Sequence, residues 1–301
     1  MKFEKATRKR AKLRLGITGP SGSGKTWGAL DIARGIGGRI AVIDTEKGSA
    51  SIYSDRADFD VLELEAPYTP ERFIEALDAA VAAGYDIVVL DSITHEWTGP
   101  GGCLELVDVV AATKTRGNTW AAWNEVTPRH RAFLDALVRS PVHVIATMRS
   151  KTETAQSEVN GKKSVVKLGM KAEQRDGAEY EFTTVLDIVH AGHFALASKD
   201  RTGLFAGDAQ PITVDTGRRL AAWLNQGDAP VEHVKPELVS GALAFLNAAV
   251  KIGSEELKRV HIEWRAFPGF AAVWMEHGAT LKAEAAQADA YHASLAEETA
   301  S

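Results

Sequence analysis

The chain has 301 residues, 45% hydrophobic and 25% charged, with a formal net charge of −5 and a single cysteine. That length buries one large core, or one core with a small appendage, and the composition excludes fibrous and disordered classes. The lone Cys103 excludes an internal disulfide and a paired-thiolate metal site.

The N-terminal stretch MKFEKATRKRAKLRLG has no apolar segment behind its charges, so it does not read as a secretory signal. No apolar run approaches the roughly 20 residues that a membrane helix needs. A cytoplasmic protein without a membrane partner is expected. Charge is uneven along the chain. Residues 226–301 hold six Lys or Arg against eleven Asp or Glu, whereas residues 1–14 carry seven basic side chains and one acid, and residues 149–175 carry seven and three. The two basic clusters are either solvated faces or contacts for a polyanion.

The β-branched runs LRLGIT (13–18), RIAVID (39–44), DIVVLD (86–91), VHVIAT (142–147) and TVLDIV (184–189) alternate with helical stretches. Near-continuous apolar strands predict a mostly parallel sheet covered on both faces, which makes the class α/β, doubly wound. In PERFIEALDAAVAAG, Pro70 suits the first turn of a helix and Gly84 its stop. EFTTVLDIVHAGHFALASKDR predicts late antiparallel strands turning at Ala191 and Gly192. The organisation expected is a nucleotide-binding core over 1–225 with a basic N-terminal segment, a linker over 226–236, and an acidic helical region over 237–301.

The chemistry begins at GPSGSGKT, which is Gly19, Pro20, Ser21, Gly22, Ser23, Gly24, Lys25 and Thr26, set between an apolar strand and a helix. This is the spacing of a phosphate-binding loop in its required context. Glycines let backbone N–H groups converge on a phosphate, Lys25 reaches the β and γ phosphates, and Thr26 offers a hydroxyl to Mg²⁺. ATP or GTP is the expected ligand. The metal also needs an acid at a strand end, and Asp91 stands directly after the apolar IVVL. Ser92 follows it, so the carboxylate that activates water lies elsewhere. Glu46, at the mouth of the strand ending in Asp44, is one choice, because that strand end can lie near the phosphate loop. Glu96, in THEW, is the other.

GPSGSGKT, VIDTEKGS, VVLDSITHEW, HVIATMRSK, QRDGAEYEF and SKDRTGLF together resemble a phage or prophage AAA-type ATPase with a RecA-like core, of the group encoded with single-strand annealing and recombination genes. The resemblance spans about residues 10–217. It implies Glu46 as the catalytic base, Thr147 as a polar sensor of the γ-phosphate where a Gln is common, and a DNA-binding loop after it containing Arg149, Lys151, Lys162 and Lys163; the alternative for that segment is a solvated hairpin with its tip around Asn160 and Gly161. It further implies that Lys199 and Arg201, flanking Asp200, reach a neighbouring subunit's ATP, with both on one face of an extended strand. ATP and Mg²⁺ are the implied cofactors. Single-stranded DNA, self-association as a ring or filament, and a phage annealing or single-strand-binding protein are the implied partners. A nucleic-acid motor or packaging ATPase, and a nucleotide-switched scaffold, remain as alternatives, and a small-molecule kinase as a weaker one. Trp97, Trp120 and Trp123 are either core residues or base-stacking platforms. His190 and His193 lack an evident third ligand for a metal.

Overall fold

The structure is a computed structural model that describes residues 5–159, 162–227, 236–264 and 270–300. Two compact units divide the chain, Met1–Asp228 and Ala229–Ser301.

In the first unit the elements follow as β1 (Arg14–Gly19), α1 (Lys25–Ile36), β2 (Ile40–Asp44), β3 (Asp60–Glu63), α2 (Pro70–Ala82), β4 (Ile87–Asp91), α3 (Thr94–Thr98), α4 (Cys103–Thr113), α5 (Thr119–Arg139), β5 (His143–Val159), β6 (Lys162–Ala172), β7 (Thr184–Ile188), β8 (Phe194–Asp200), β9 (Gln210–Pro211) and α6 (Val214–Leu224). The sheet order is β3-β2-β4-β5-β1-β7-β8-β9, with β6 pairing β5 off this path. β3 through β7 along that path run parallel, and β8 and β9 are antiparallel additions. The sheet is therefore mixed, mostly parallel, with the late antiparallel strands that the sequence predicts. Every residue of β1, β2 and β4 is buried, as strands covered on both faces require.

One face packs Leu15, Ile17, Leu30 and Ile32 under α1 and α6, and the other packs Phe73, Leu77, Phe133 and Leu137 under α2 and α5. The close approach of α1 and α6 depends on small residues, since a Cβ at Gly35 would lie 2.1 Å from the Val214 carbonyl oxygen. Two features depart from the sequence reading. β3 is an exposed edge strand of four residues, too short and too polar to announce itself. β5 does not stop at Thr147 but runs 17 residues in all, His143–Val159, into a hairpin with β6, the form the sequence offers as the alternative to a DNA-binding loop. The expected tip at Asn160 and Gly161, and the side chains of Lys162 and Lys163, lie outside the described residues.

Arg14, one of the N-terminal basic cluster, is not available to a polyanion. It is 7% exposed and its guanidinium donates to the carbonyls of Leu13 (2.7 Å), Val142 (2.8 Å), Val138 (3.0 Å) and Ser140. Burial pushes its pKa down to about 10.

The second unit consists of α7 (Pro236–Ile252), α8 (Ser254–Trp264) and α9 (Phe270–Ala300) around Leu246, Leu257, Val273 and Leu281. The residues of the expected linker from 228 to 235 are outside those described. No helix among the described residues is long and apolar enough to cross a membrane.

Candidate functional site

β1 carries the chain to Gly19, and the loop that follows turns into α1 at Lys25. Gly22 and Gly24 adopt φ of +73° and +93°, a region that L side chains rarely enter. At Gly19 an added Cβ would lie 2.4 Å from Ser23 Oγ and 2.9 Å from the Ile188 carbonyl oxygen, so only hydrogen fits. Lys25 is buried and its Nζ donates to the Pro20 carbonyl at 2.9 Å, spanning the loop from within. Burial lowers the Lys25 pKa, while Glu46 and then Asp91 push it back up. Both carboxylates thus act electrically on the phosphate-loop lysine. His193 braces the loop through Nδ1 and the Ser23 carbonyl at 2.9 Å.

The strand end at Asp91 meets this loop. Thr26 Oγ1 donates to Asp91 Oδ2 at 2.6 Å, and Thr147 Oγ1 donates to Asp91 Oδ1. Register explains the second bond: β4 and β5 pair Leu90 with Ala146, which sets Thr147 beside Asp91. Thr147 is fully buried. Its hydroxyl orients the acid instead of pointing to open solvent. Burial raises the Asp91 pKa, against the lowering effect of these two hydroxyls. A hydroxyl and a carboxylate presenting oxygen at one point match the preference of a hard divalent cation such as Mg²⁺, so Thr26 and Asp91 fit that ion.

Glu46 reaches the site differently from the sequence reading. β2 is not a neighbour of β1, because β4 and β5 lie between them, and three strand spacings amount to about 14 Å. The carboxylate is held by Arg149 on β5, whose Nε and Nη2 both lie 3.0 Å from Glu46 Oε1, and its charge acts on Lys25. Asp44 shapes the turn that presents it, accepting from the Glu46 N–H at 2.5 Å and the Ala50 N–H at 3.0 Å. Glu96 lies in the opposite situation. It is fully buried and engaged by His130 Nδ1 at 3.0 Å, Cys103 Sγ at 3.0 Å and Gln174 Nε2 at 3.3 Å. Burial pushes the Cys103 thiol far up, which keeps its S–H as a donor to that carboxylate. These contacts occupy Glu96 within the core.

Lys199 and Arg201 flank Asp200, the last residue of β8, and the Arg201 N–H continues the ladder by donating to the Thr183 carbonyl at 3.1 Å. Lys199 Nζ donates to the carbonyls of Glu179 (3.1 Å) and Tyr180 (2.5 Å). Arg201 is exposed. Asp200 organises the turn that holds it, accepting from Thr202 N at 2.8 Å and Phe205 N at 2.9 Å.

Sequence reasoning missed a cavity of about 410 Å³ against the loop, lined by Gly22, Gly24, Trp27, Tyr53, His193 and Ile212 among others. Its size suits a nucleoside-sized ligand. Trp27, two residues after Lys25, was the available signal.

A search of curated proteins returns no match. Among solved structures, that of the RadB recombinase is similar at 18% identity, covering 69% of this chain and 90% of that one, with a TM-score of 0.40. The AAA domain family matches residues 11–220. With the phosphate loop and its acid inside that span, the chain belongs to the AAA domain family of P-loop ATPases.

Proposed function

We propose that the protein binds and hydrolyses ATP with Mg²⁺, and that it does so on single-stranded DNA in recombination, annealing or replication of the kind phages encode. The observation that carries the nucleotide half is the convergence of Thr26 and Thr147 on Asp91 beside Lys25. In this reading the phosphate loop and Lys25 hold the triphosphate, and Thr26 and Asp91 hold the metal, which neutralises charge on the phosphates. Glu46 takes the proton of the attacking water. Its burial and contacts favour it over Glu96, whose carboxylate is committed to three donors. Thr147 keeps Asp91 oriented, and Arg149 keeps Glu46 in place until phosphates enter.

The strand order supports a site completed between subunits. Thr184 pairs with both Leu15 and Asp200, so Arg201 lies level with the start of β1, while the phosphate loop follows its end. The separation along the strands is about 13–16 Å. Arg201 is thus poorly placed for its own ATP and well exposed for a neighbour's.

The DNA half rests on the basic segment 149–175 and on β5, which runs from Thr147 and Arg149 directly into the hairpin. Hydrolysis measured with and without single-stranded DNA tests it. Stimulation is expected, and binding should weaken with salt at a log-log slope of about −0.7 per phosphate contact, flattened by replacing Lys151, Lys162 and Lys163 with Ala. ATP turnover indifferent to DNA, with no DNA binding at low salt, would leave a nucleotide-switched scaffold as the better reading.

A further inference from the structure

A second cavity of the first unit lies away from the phosphate loop. A cleft of about 840 Å³ opens between α3, the first turns of α5 and residues 171–176, and Trp97, Trp120, Trp123, Asn124 and Arg175 line it. The three tryptophans are not equivalent. Trp97 and Trp123 stack at 5.6 Å between centroids with 26° between planes, half-buried against Cys103, Val107 and Val126. Trp120 precedes Trp123 by three residues on α5, yet it is 87% exposed. An indole left in water on an ordered helix, at the rim of a cleft, has no packing role.

The charges around it favour bases over phosphates as the bound group. Lys151 lies 3.7 Å from Glu173 and Lys171 2.8 Å from Asp176, so each lysine faces a carboxylate. Arg175 carries the cleft's excess positive charge. Its guanidinium stands 5.4 Å over the Trp123 ring and donates to Thr127 Oγ1 at 3.2 Å. Flat aromatic and guanidinium faces with little net charge suit unstacked nucleobases, whose π-faces stack without sequence preference. The cleft is also tied to the nucleotide site. Gln174 Nε2 donates to the Ile93 carbonyl at 3.0 Å, two residues past Asp91.

We infer that this cleft is a base-stacking subsite for single-stranded DNA, with Trp120 as its exposed platform. The inference rests on the DNA reading above and adds the surface and the recognised group. The test uses the full chain and two labelled oligonucleotides of equal length, one of thymidines and one abasic, with binding followed by anisotropy. Wild type should bind the thymidine strand more tightly. Trp120→Ala should weaken that strand about 5- to 150-fold, the range for one lost stacking partner, and leave the abasic strand unchanged. Trp120→Phe should restore most of the affinity. Because Trp120 is exposed, its loss does not threaten folding, and an unchanged melting temperature verifies this. Wild-type binding of DNA with no effect of Trp120→Ala, or an equal loss on both strands, would overturn the stacking subsite while leaving the DNA reading intact. Failure of the wild type to bind either strand would remove both.

Discussion

Replacing Glu46 with Gln separates chemistry from structure by magnitude. The amide keeps the size of the side chain and still accepts from Arg149, but it cannot take a proton from water. A general base contributes about 10² to 10⁴ in rate, equivalent to about 2.7–5.4 kcal/mol of barrier. The folding cost is far smaller. The Glu46–Arg149 pair is 27% and 42% exposed at its two side chains, and ion pairs in that setting are worth about 0–1 kcal/mol, or at most a few degrees in melting temperature. Single-turnover ATP hydrolysis, ATP affinity and thermal melting should therefore show a large rate loss, unchanged binding and a near-native melting point. Glu96→Gln should do the reverse, since it puts an amide among three donors in the core, where a lost partner costs about 1–3 kcal/mol. A Glu46→Gln rate within threefold of wild type, or a Glu96→Gln enzyme that melts normally but does not turn over, would refute the assignment.

Two further outcomes are expected. Arg201→Ala should bind ATP but hydrolyse it slowly, and mixing it with Lys25→Ala should restore activity by pairing one subunit's intact phosphate loop with the other's arginine; a rate never above the sum of the two, with co-assembly demonstrated by sizing, would return Arg201 to a surface role. His143 supplies a pH dependence: its Nδ1 accepts the Leu13 N–H at 3.1 Å, and burial drives its pKa down to about 4, so the unfolded chain binds a proton the folded chain rejects. Stability should then fall as pH drops from about 6.5 towards 4, by on the order of 2 kcal/mol after allowance for partial exposure, and His143→Gln should flatten that part of a melting-temperature profile; an unchanged profile would refute it.

What could be read from the sequence and what could not divide along a physical line. The phosphate loop is legible because its glycines are a local backbone requirement: a Cβ at Gly19 collides with Ser23 four residues away, whatever the rest of the fold does. Asp91 is legible because an acid closing an apolar run is also a local pattern. The partners of that acid are not local. Thr26 and Thr147 meet it across 65 and 56 residues, and Arg149 meets Glu46 across 103. Each of those contacts is fixed by strand order and register, which periodicity does not reveal. The same holds for Arg14, whose charge reads as surface until four carbonyls enclose it.

Register also decides what Arg149 does. Its position on β5, two residues after Thr147, gives one strand contact with both carboxylates of the site: Thr147 with Asp91 and Arg149 with Glu46. The same strand then continues through Ser150 and Lys151 into the hairpin, pairing Ser150 with Ala172 and Lys151 with Lys171 at the edge of the tryptophan cleft. A triphosphate placed before Lys25 would compete with Glu46 for the Arg149 guanidinium, since both are oxyanions and a guanidinium binds either in the same planar geometry. Any shift of Arg149 acts on a strand whose next residues border the cleft. If, as proposed, the cleft takes single-stranded DNA and Glu46 activates water, nucleotide state and strand binding are coupled through a few residues of continuous β-structure, and by reciprocity the bound strand alters how readily Glu46 is released.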